Sequence, residues 1–405
     1  MQRAFRDAAA GSILAPDDED LTMGGAAFRL SFFYAAFFTF GGIHLPFWPV
    51  WLAAKGIEAA EIAAIIAAGI GVKVIVNPVV AHFADRSGGR KSIMLILAAA
   101  ATALFSVYAV ADGFLPILLI TVLFFALWSP VMPLGESLTM LAARAGAFDY
   151  GRVRLWGSIA FIAAAFGAGV ILEGRPGEIV LWLLIPASLL ALLSVAMAPD
   201  ARAPATAPGR IAALELLRDR GFLLILLACA LVQSSHAAYY SFGTLHWRAA
   251  GHSEAVIGAL WAEGVVAEIV LFAAGPAILK RVSPGGLILL AALAGIVRWT
   301  ATAMSTALPL LAAAQILHAF TFGAAHLGAI HLIARHVAPA LSASAQSLYS
   351  ATVMGLGLSL AILAAGPLYN YSSIAAFLVM AALSALAAAA AYPLIRALQS
   401  APARA

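Results

Sequence analysis

The chain has 405 residues, of which 63% are hydrophobic and only 10% charged, and a formal net charge of +4. Soluble proteins carry about a quarter charged residues, so soluble, secreted, disordered and nucleic-acid-binding classes are excluded and a chain embedded in lipid is left. A bilayer core takes roughly 20 apolar residues per helix, which leaves room for about a dozen spans.

The N-terminal residues carry Arg3 and Arg6, then Asp17, Asp18, Glu19 and Asp20. That is not the basic region and short cleavable core of a signal peptide, and residues 1–27 are expected to form a cytoplasmic tail. Apolar stretches bounded by charge, Gly or Pro fall at about 28–53, 58–84, 92–111, 114–143, 153–173 and 177–198. Residues 199–220 are polar and Pro-rich and read as a cytoplasmic linker. Six more stretches follow at about 221–247, 254–279, 285–305, 307–334, 341–368 and 371–397, with a short cytoplasmic tail at 398–405. The expected fold is all-α and integral to the membrane, with six-helix bundles over 28–198 and 221–397.

Of the 23 Lys and Arg residues, Lys55, Arg175 and Arg248 fall on one face and Lys73 and Arg298 inside spans. The other 18 lie on the face that carries both termini and the linker, which the positive-inside rule assigns to the cytoplasm. A faint repeat links the halves: Leu141-Ala-Ala-Arg144 ends span four as Leu332-Ile-Ala-Arg335 ends span ten, and Pro78 and Pro276 recur near the ends of spans two and eight. The single cysteine, Cys229, excludes an intramolecular disulfide and reads as a core residue.

An ionisable side chain near the bilayer centre costs about 2.5–3.5 kcal/mol and therefore needs a partner, a wet cavity or a function. Depth selects Lys73, Glu136, Glu263, Glu268 and Arg298, with Arg154 at the start of span five. Glu268 and Arg298 occupy consecutive antiparallel spans, as a structural ion pair or as a cavity pair that exchanges partners during transport. Glu263 and Glu268 lie about 140° apart around a helix, and Glu268 is the deeper. Lys73 is a receptor for a substrate carboxylate, a partner of Glu136 or Glu268, or a snorkelling side chain. No carboxylate follows Glu268 in the sequence, so proton handling in the last third falls to Glu268, Glu263 and histidines such as His318. His318 and His326 are about 80° apart on one helix, which does not build a metal site. Gly69/Gly71, Gly167/Gly169 and Gly355/Gly357 read as close helix approaches. Pro46, Pro49, Pro130, Pro133 and Pro367 read as interruptions of their spans. Trp48, Phe161, Tyr239, Tyr240 and Trp261 read as lipid-facing or core.

Several of these segments together resemble a known family. Asp85-Arg-Ser-Gly-Gly-Arg90-Lys91 is similar to the D-x-x-G-R-K/R loop of the major facilitator superfamily, shifted by one glycine. Leu45-Pro-Phe-Trp-Pro-Val-Trp-Leu52, Asn77-Pro78 and Tyr150-Gly-Arg-Val-Arg-Leu-Trp-Gly-Ser158 resemble its oligosaccharide:proton symporter and phenylpropionate permease branch. The resemblance implies a major facilitator fold of two pseudo-symmetric six-helix bundles, with Asp85, Arg90 and Lys91 as a conformational latch. It pairs Glu136 with Arg154 at the substrate and places Glu268, Arg298 and His318 in substrate binding and proton coupling. Three positions depart from the branch: Thr321 stands where a proton-carrying glutamate is expected, Gln315 replaces a lysine, and Phe161 replaces a tryptophan that stacks on sugar.

The expected function is secondary active transport by alternating access, with proton-coupled import of a small organic solute across a bacterial inner membrane. Lys73, Glu136, Arg154, Phe161 and Arg298 are the expected substrate residues, and Glu268 and His318 the proton-coupling ones. Phe161 and Lys73 favour an aromatic or hydrophobic monocarboxylate; a sugar or nucleoside symporter is the alternative that Glu136 and Arg154 suit. An integral-membrane enzyme and a transport-dead sensor are the more distant readings. No cofactor and no metal are expected, the bilayer and the solute with its proton are the partners, and the chain is expected to be a monomer.

Overall fold

The computed structural model describes residues 23–87, 89–144, 148–200, 216–338 and 341–400. Residues 1–22 of the expected N-terminal tail, 201–215 of the expected linker and 401–405 of the expected C-terminal tail lie outside the described residues, as does the side chain of Asp85.

Twelve helices among the described residues are long and apolar enough to cross a membrane. The first half holds α1 (Gly25–Ala54), α2 (Ala59–Ala84), α3 (Arg90–Val110), α4 (Phe114–Ala143), α5 (Tyr150–Leu172) and α6 (Ile179–Met197). The second holds α7 (Arg220–Ala249), α8 (Glu254–Ala273), α9 (Pro284–Met304), α10 (Leu308–His336), α11 (Ser344–Tyr371) and α12 (Ser373–Ile395). Hydrocarbon offers no hydrogen bonds to the backbone, so each span satisfies its own N–H and C=O groups as a helix.

The sequence also sets which way each helix faces. On α4, Leu115, Leu119 and Leu123 recur every four residues and are all exposed, while Ile117, Ile120, Thr121 and Phe124 on the opposite side are buried. One face meets lipid and the other meets protein. Start signals are equally local: the side chains of Asp149, Asp219, Ser253 and Ser283 accept a backbone N–H in the first turns of α5, α7, α8 and α9.

Pro130 breaks α4 at Ser129-Pro130, as its missing N–H requires. Pro46, Pro49 and Pro367, expected as interruptions, instead lie inside continuous helix, which membrane helices tolerate where their surroundings satisfy the freed backbone groups. α7 breaks at Ser235-His236 without a proline or glycine, and α10 and α11 widen into π-helical turns at Ala319–Ala324 and Ser350–Gly357. Wide turns of this kind gather at functional sites.

Within the halves α1 packs on α5 and α6, and α9 on α12. Between the halves α5 meets α8 and α2 meets α11. α2 and α8 are the second helices of their halves and α5 and α11 the fifth, so the two seams are equivalent under exchange of the halves, as a duplicated fold requires. Small residues close both seams at the end away from the termini. A Cβ on Gly169 would lie 2.3 Å from the Glu254 carbonyl oxygen, one on Gly258 2.4 Å from that of Ala165, and one on Gly366 2.6 Å from the Cβ of Ala63. Gly69 and Gly355 are similarly tight, against Phe125 and Val74, whereas Gly167, expected to pack closely, faces open space.

Candidate functional site

The two halves enclose a cavity of about 220 Å³. α5 lines it with Arg154, Ser158 and Phe161, and α8 with Trp261, Val265 and Glu268. Both triplets follow the spacing of one helical face, four residues and then three. Tyr239 and Tyr240 from α7, His318 and Phe322 from α10, and Phe38 and Leu45 from α1 complete the wall. One cation and one carboxylate, from opposite halves, therefore share a chamber that is otherwise mostly aromatic. No ion pair joins them directly within 4.0 Å.

Arg154 is held by rings. Its guanidinium lies 4.3 Å from the ring centre of Phe38 and 5.3 Å from that of Tyr34, an arrangement in which the aromatic face stabilises the cation. Glu136 does not pair with it. Its carboxylate instead accepts a very short hydrogen bond from the Tyr150 hydroxyl, one helical turn before Arg154. The expected Glu136–Arg154 pair is thus replaced by a carboxylate bound to tyrosine and an arginine free to face the cavity.

Arg298 also departs from expectation: only 1% of it is exposed, it does not line the cavity, and it makes no ion pair with Glu268. Its guanidinium stacks on Tyr239 and Trp299 and donates to Gln315 Oε1 at 2.6 Å, Thr321 Oγ1 at 2.9 Å and His318 Nδ1 at 3.0 Å. The reason lies in the same departures from the branch seen in the sequence. Positions 315 and 321 offer neutral acceptors where a lysine and a glutamate were expected, and the arginine turns to them. Gln315 passes the order on, donating to the Tyr239 hydroxyl and the Leu260 carbonyl at 3.1 and 3.2 Å. Thr321 also meets His236 Nε2 at 3.1 Å, while His236 Nδ1 lies 3.1 Å from the Val232 carbonyl. The break in α7 and the wide turn in α10 are therefore joined through one buried polar network.

That network fixes the proton on His318. Arginine only donates, so Nδ1 must be the bare acceptor nitrogen. The ring hydrogen then sits on Nε2, which points at Glu268 Oε2 from 3.8 Å. A second proton on His318 would break its bond with Arg298. The geometry brings Glu268, His318 and Arg298 into a line, cavity first, in which the histidine is a neutral connector.

Lys73 stands apart from this cluster. Its ammonium lies 4.8 Å from the ring centre of Phe125 on α4, which is also edge-on to His44, and none of the expected carboxylates pairs with it among the described residues. Phe161 lines the cavity, and its carbonyl backs Gly42 of α1. Of the expected latch, Arg90 is buried at the start of α3 and Lys91 half-buried beside it. Trp261, Tyr239 and Tyr240, read from sequence as core or lipid-facing, belong to the core or pack against it and also line the cavity. The spacing of Trp261 and Val265 to Glu268 is the signal that would have found the first of them.

The MFS_1 like family model matches residues 27–379. A probable 3-phenylpropionic acid transporter of Escherichia coli is 34% identical over 356 residues, covering 86% of this chain and 92% of that protein. A maltose permease of Geobacillus stearothermophilus is 29% identical over 348 residues, covering 82% and 86%. Among solved structures, a mutant of the nucleoside transporter NupG aligns with a TM-score of 0.82 at 16% identity, covering 91% of this chain and 99% of that one. A bacterial homologue of the lysosomal transporter Spinster, inward-facing and unoccupied, aligns at 0.74 with 15% identity, covering 95% and 99%.

Proposed function

The chain belongs to the MFS_1 like family, and on that premise we propose that it imports an aromatic or hydrophobic monocarboxylate together with a proton. It is an integral-membrane transporter with twelve spans and not an enzyme; the solute, the coupling and the direction are our reading. The observation that carries this reading is the cavity itself: a single cation, Arg154, and a single carboxylate, Glu268, inside aromatic walls. The relative named as a probable 3-phenylpropionic acid transporter supports the same solute class.

The coupling follows from charge. With Glu268 ionised, its charge balances that of Arg154, the one cation of the cavity wall. Protonation of Glu268 leaves the cavity with uncompensated positive charge, and a substrate carboxylate restores the balance. Arg154 and the His318 Nε2–H are its donors, and Glu136, held by Tyr150, keeps out of competition for Arg154. Arg298 acts from behind, by orienting His318. Lys73, without an acidic partner among the described residues, attracts the anion from the α2 side. Substrate anion and proton thus bind together, and the pair crosses without net charge.

Alternating access supplies the motion. Distribution of Lys and Arg supports cytoplasmic termini, and we take the membrane to be a bacterial inner membrane and the transporter to be a monomer. In that orientation the closed seams face outward. Asp85, Arg90 and Lys91 would serve as the latch of the opposite state.

A thermal-shift screen of the purified protein against aryl carboxylates, sugars and nucleosides tests the reading, since a ligand that binds only the folded state raises Tm by mass action. Carboxylates should stabilise, and Arg154→Gln should remove the effect. Stabilisation by sugars or nucleosides alone would replace it with the alternative solute class.

A further inference from the structure

α5 and α8 cross their seam in an antiparallel register that carries from the closed end into the cavity. Gly169 stands against Glu254, and Ala165 against Gly258, so four residues on one helix match four on the other. Continued inward, that register sets Phe161 level with position 262, Ser158 with 265 and Arg154 with 269. Phe161 and Trp261 therefore share the outermost level, Ser158 and Val265 the middle one, and Arg154 and Glu268 the level nearest the termini. With a rise of 1.5 Å per residue, about 10 Å of helix separates the aromatic level from the charged one. The chamber carries its charged groups at one end, with Phe161 and Trp261 at the other.

Trp261 is built in rigidly. It is 3% exposed, its ring stacks on Tyr239 with centres 4.4 Å apart, and its indole N–H donates to Thr244 Oγ1 at 3.0 Å. Tyr239 is in turn fixed by Gln315 and Arg298. With its single donor occupied, the indole offers the cavity only apolar ring, and Phe161 opposite has no polar group either. The polar groups nearest this level are the hydroxyls of Tyr239 and Tyr240, whose rings stack on Trp261 with centres 4.4 and 6.4 Å away.

Resting on the monocarboxylate reading above, we propose that Trp261 is a specificity-determining residue: with Phe161 it receives the flat apolar ring of the substrate at the closed end, while the carboxylate is held two turns away between Arg154 and His318. The substrate thus has one orientation in this conformer, ring first toward the closed seams. A second negative charge at the far end of its ring meets no cation in the cavity wall there and is rejected.

The test compares 3-phenylpropionate with 3-cyclohexylpropionate, equal in length and charge, by competition binding to the purified full chain. Aromatic pairs add to area burial, so the wild type should prefer the aryl acid about two- to tenfold. Trp261→Leu should lower that ratio toward the part Phe161 supplies, with the cyclohexyl acid little changed, and Trp261→Phe should keep the preference. A second comparison needs no variant: 3-(4-carboxyphenyl)propionate should bind the wild type at least about a hundredfold more weakly than 3-phenylpropionate, as expected for a charge left unpaired in an apolar site. An unchanged aryl preference in Trp261→Leu, or equal binding of the dicarboxylate, would overturn the assignment of Trp261. Failure of the wild type to bind either monocarboxylate would instead overturn the solute class on which the assignment rests.

Discussion

Adding one methyl group at the α5–α8 seam should shift the transport cycle without touching the cavity. A Cβ at Gly169 falls 2.3 Å from the Glu254 carbonyl oxygen, and one at Gly258 falls 2.4 Å from the Ala165 carbonyl oxygen. Carbon–oxygen contacts between packed helices are normally about 3.3–3.6 Å, so either alanine forces the helices apart by about 1 Å. Overpacking of this kind costs about 1–3 kcal/mol, and the cost falls only on the state in which the seam is closed. The population should move toward the opposite state by about five- to 150-fold. Both contacts lie one turn apart on the same pair of helices, so one displacement relieves both. Gly169→Ala and Gly258→Ala together should therefore shift the equilibrium little more than either alone. Spin labels at Glu58 and Ala250, in a Cys229→Ala background, report the seam: these exposed loop positions belong to opposite halves. A longer-distance population should grow in each variant. Folded variants with the parent distance distribution would refute the seam as the closed gate.

Three further outcomes are expected. Glu268→Gln should abolish accumulation driven by a pH gradient while equilibrium exchange of labelled substrate persists; accumulation retained in proteoliposomes would remove Glu268 from coupling. Arg298→Met should lower stability by about 2–3 kcal/mol, since His318 Nδ1 and Gln315 Oε1 lose a charged donor in a buried site, and histidine NMR should find His318 able to take a second proton. A variant as stable as the wild type, with His318 unchanged, would contradict the network. At the end that carries the termini, burial pushes the Asp219 carboxyl upward, but the hydrogen bonds from His336 and from the backbone N–H groups of Phe222 and Gly221 outweigh it and hold the carboxyl below its ordinary value of 3.8. A carboxyl depressed on folding adds stability above its unfolded value and loses that contribution as pH falls through the folded one. Asp219→Asn should therefore lower Tm near neutral pH, by less than about 1 kcal/mol in stability given the partial exposure of the pair, and the difference should vanish in acid. A gap in Tm that widens in acid would reverse the sign.

Fold was legible in the sequence because each span must satisfy its backbone within itself, so length and hydropathy alone locate it. Positions of intramembrane charges were legible for the same reason: Arg154 and Glu268 stand out in an apolar chain wherever the helices place them. Their partners were not. Arg298 and Glu268 sit in adjacent spans, but only tertiary packing shows that His318 comes between them, and that neutral Gln315 and Thr321 draw the guanidinium away. Glu136 behaved likewise, since Tyr150, not Arg154, takes its carboxylate. Aromatic residues carry the least signal in such a chain. Trp261 and Trp182 are equally apolar on paper, yet the first lines the cavity and the second faces lipid.

Joint binding of a proton and a carboxylate is measured most directly by adding 3-phenylpropionate to concentrated, lightly buffered protein and following the pH of the solution. Uptake of about one proton per substrate bound is expected in the wild type and none in Glu268→Gln. Substrate binding to the wild type without proton uptake would contradict the account.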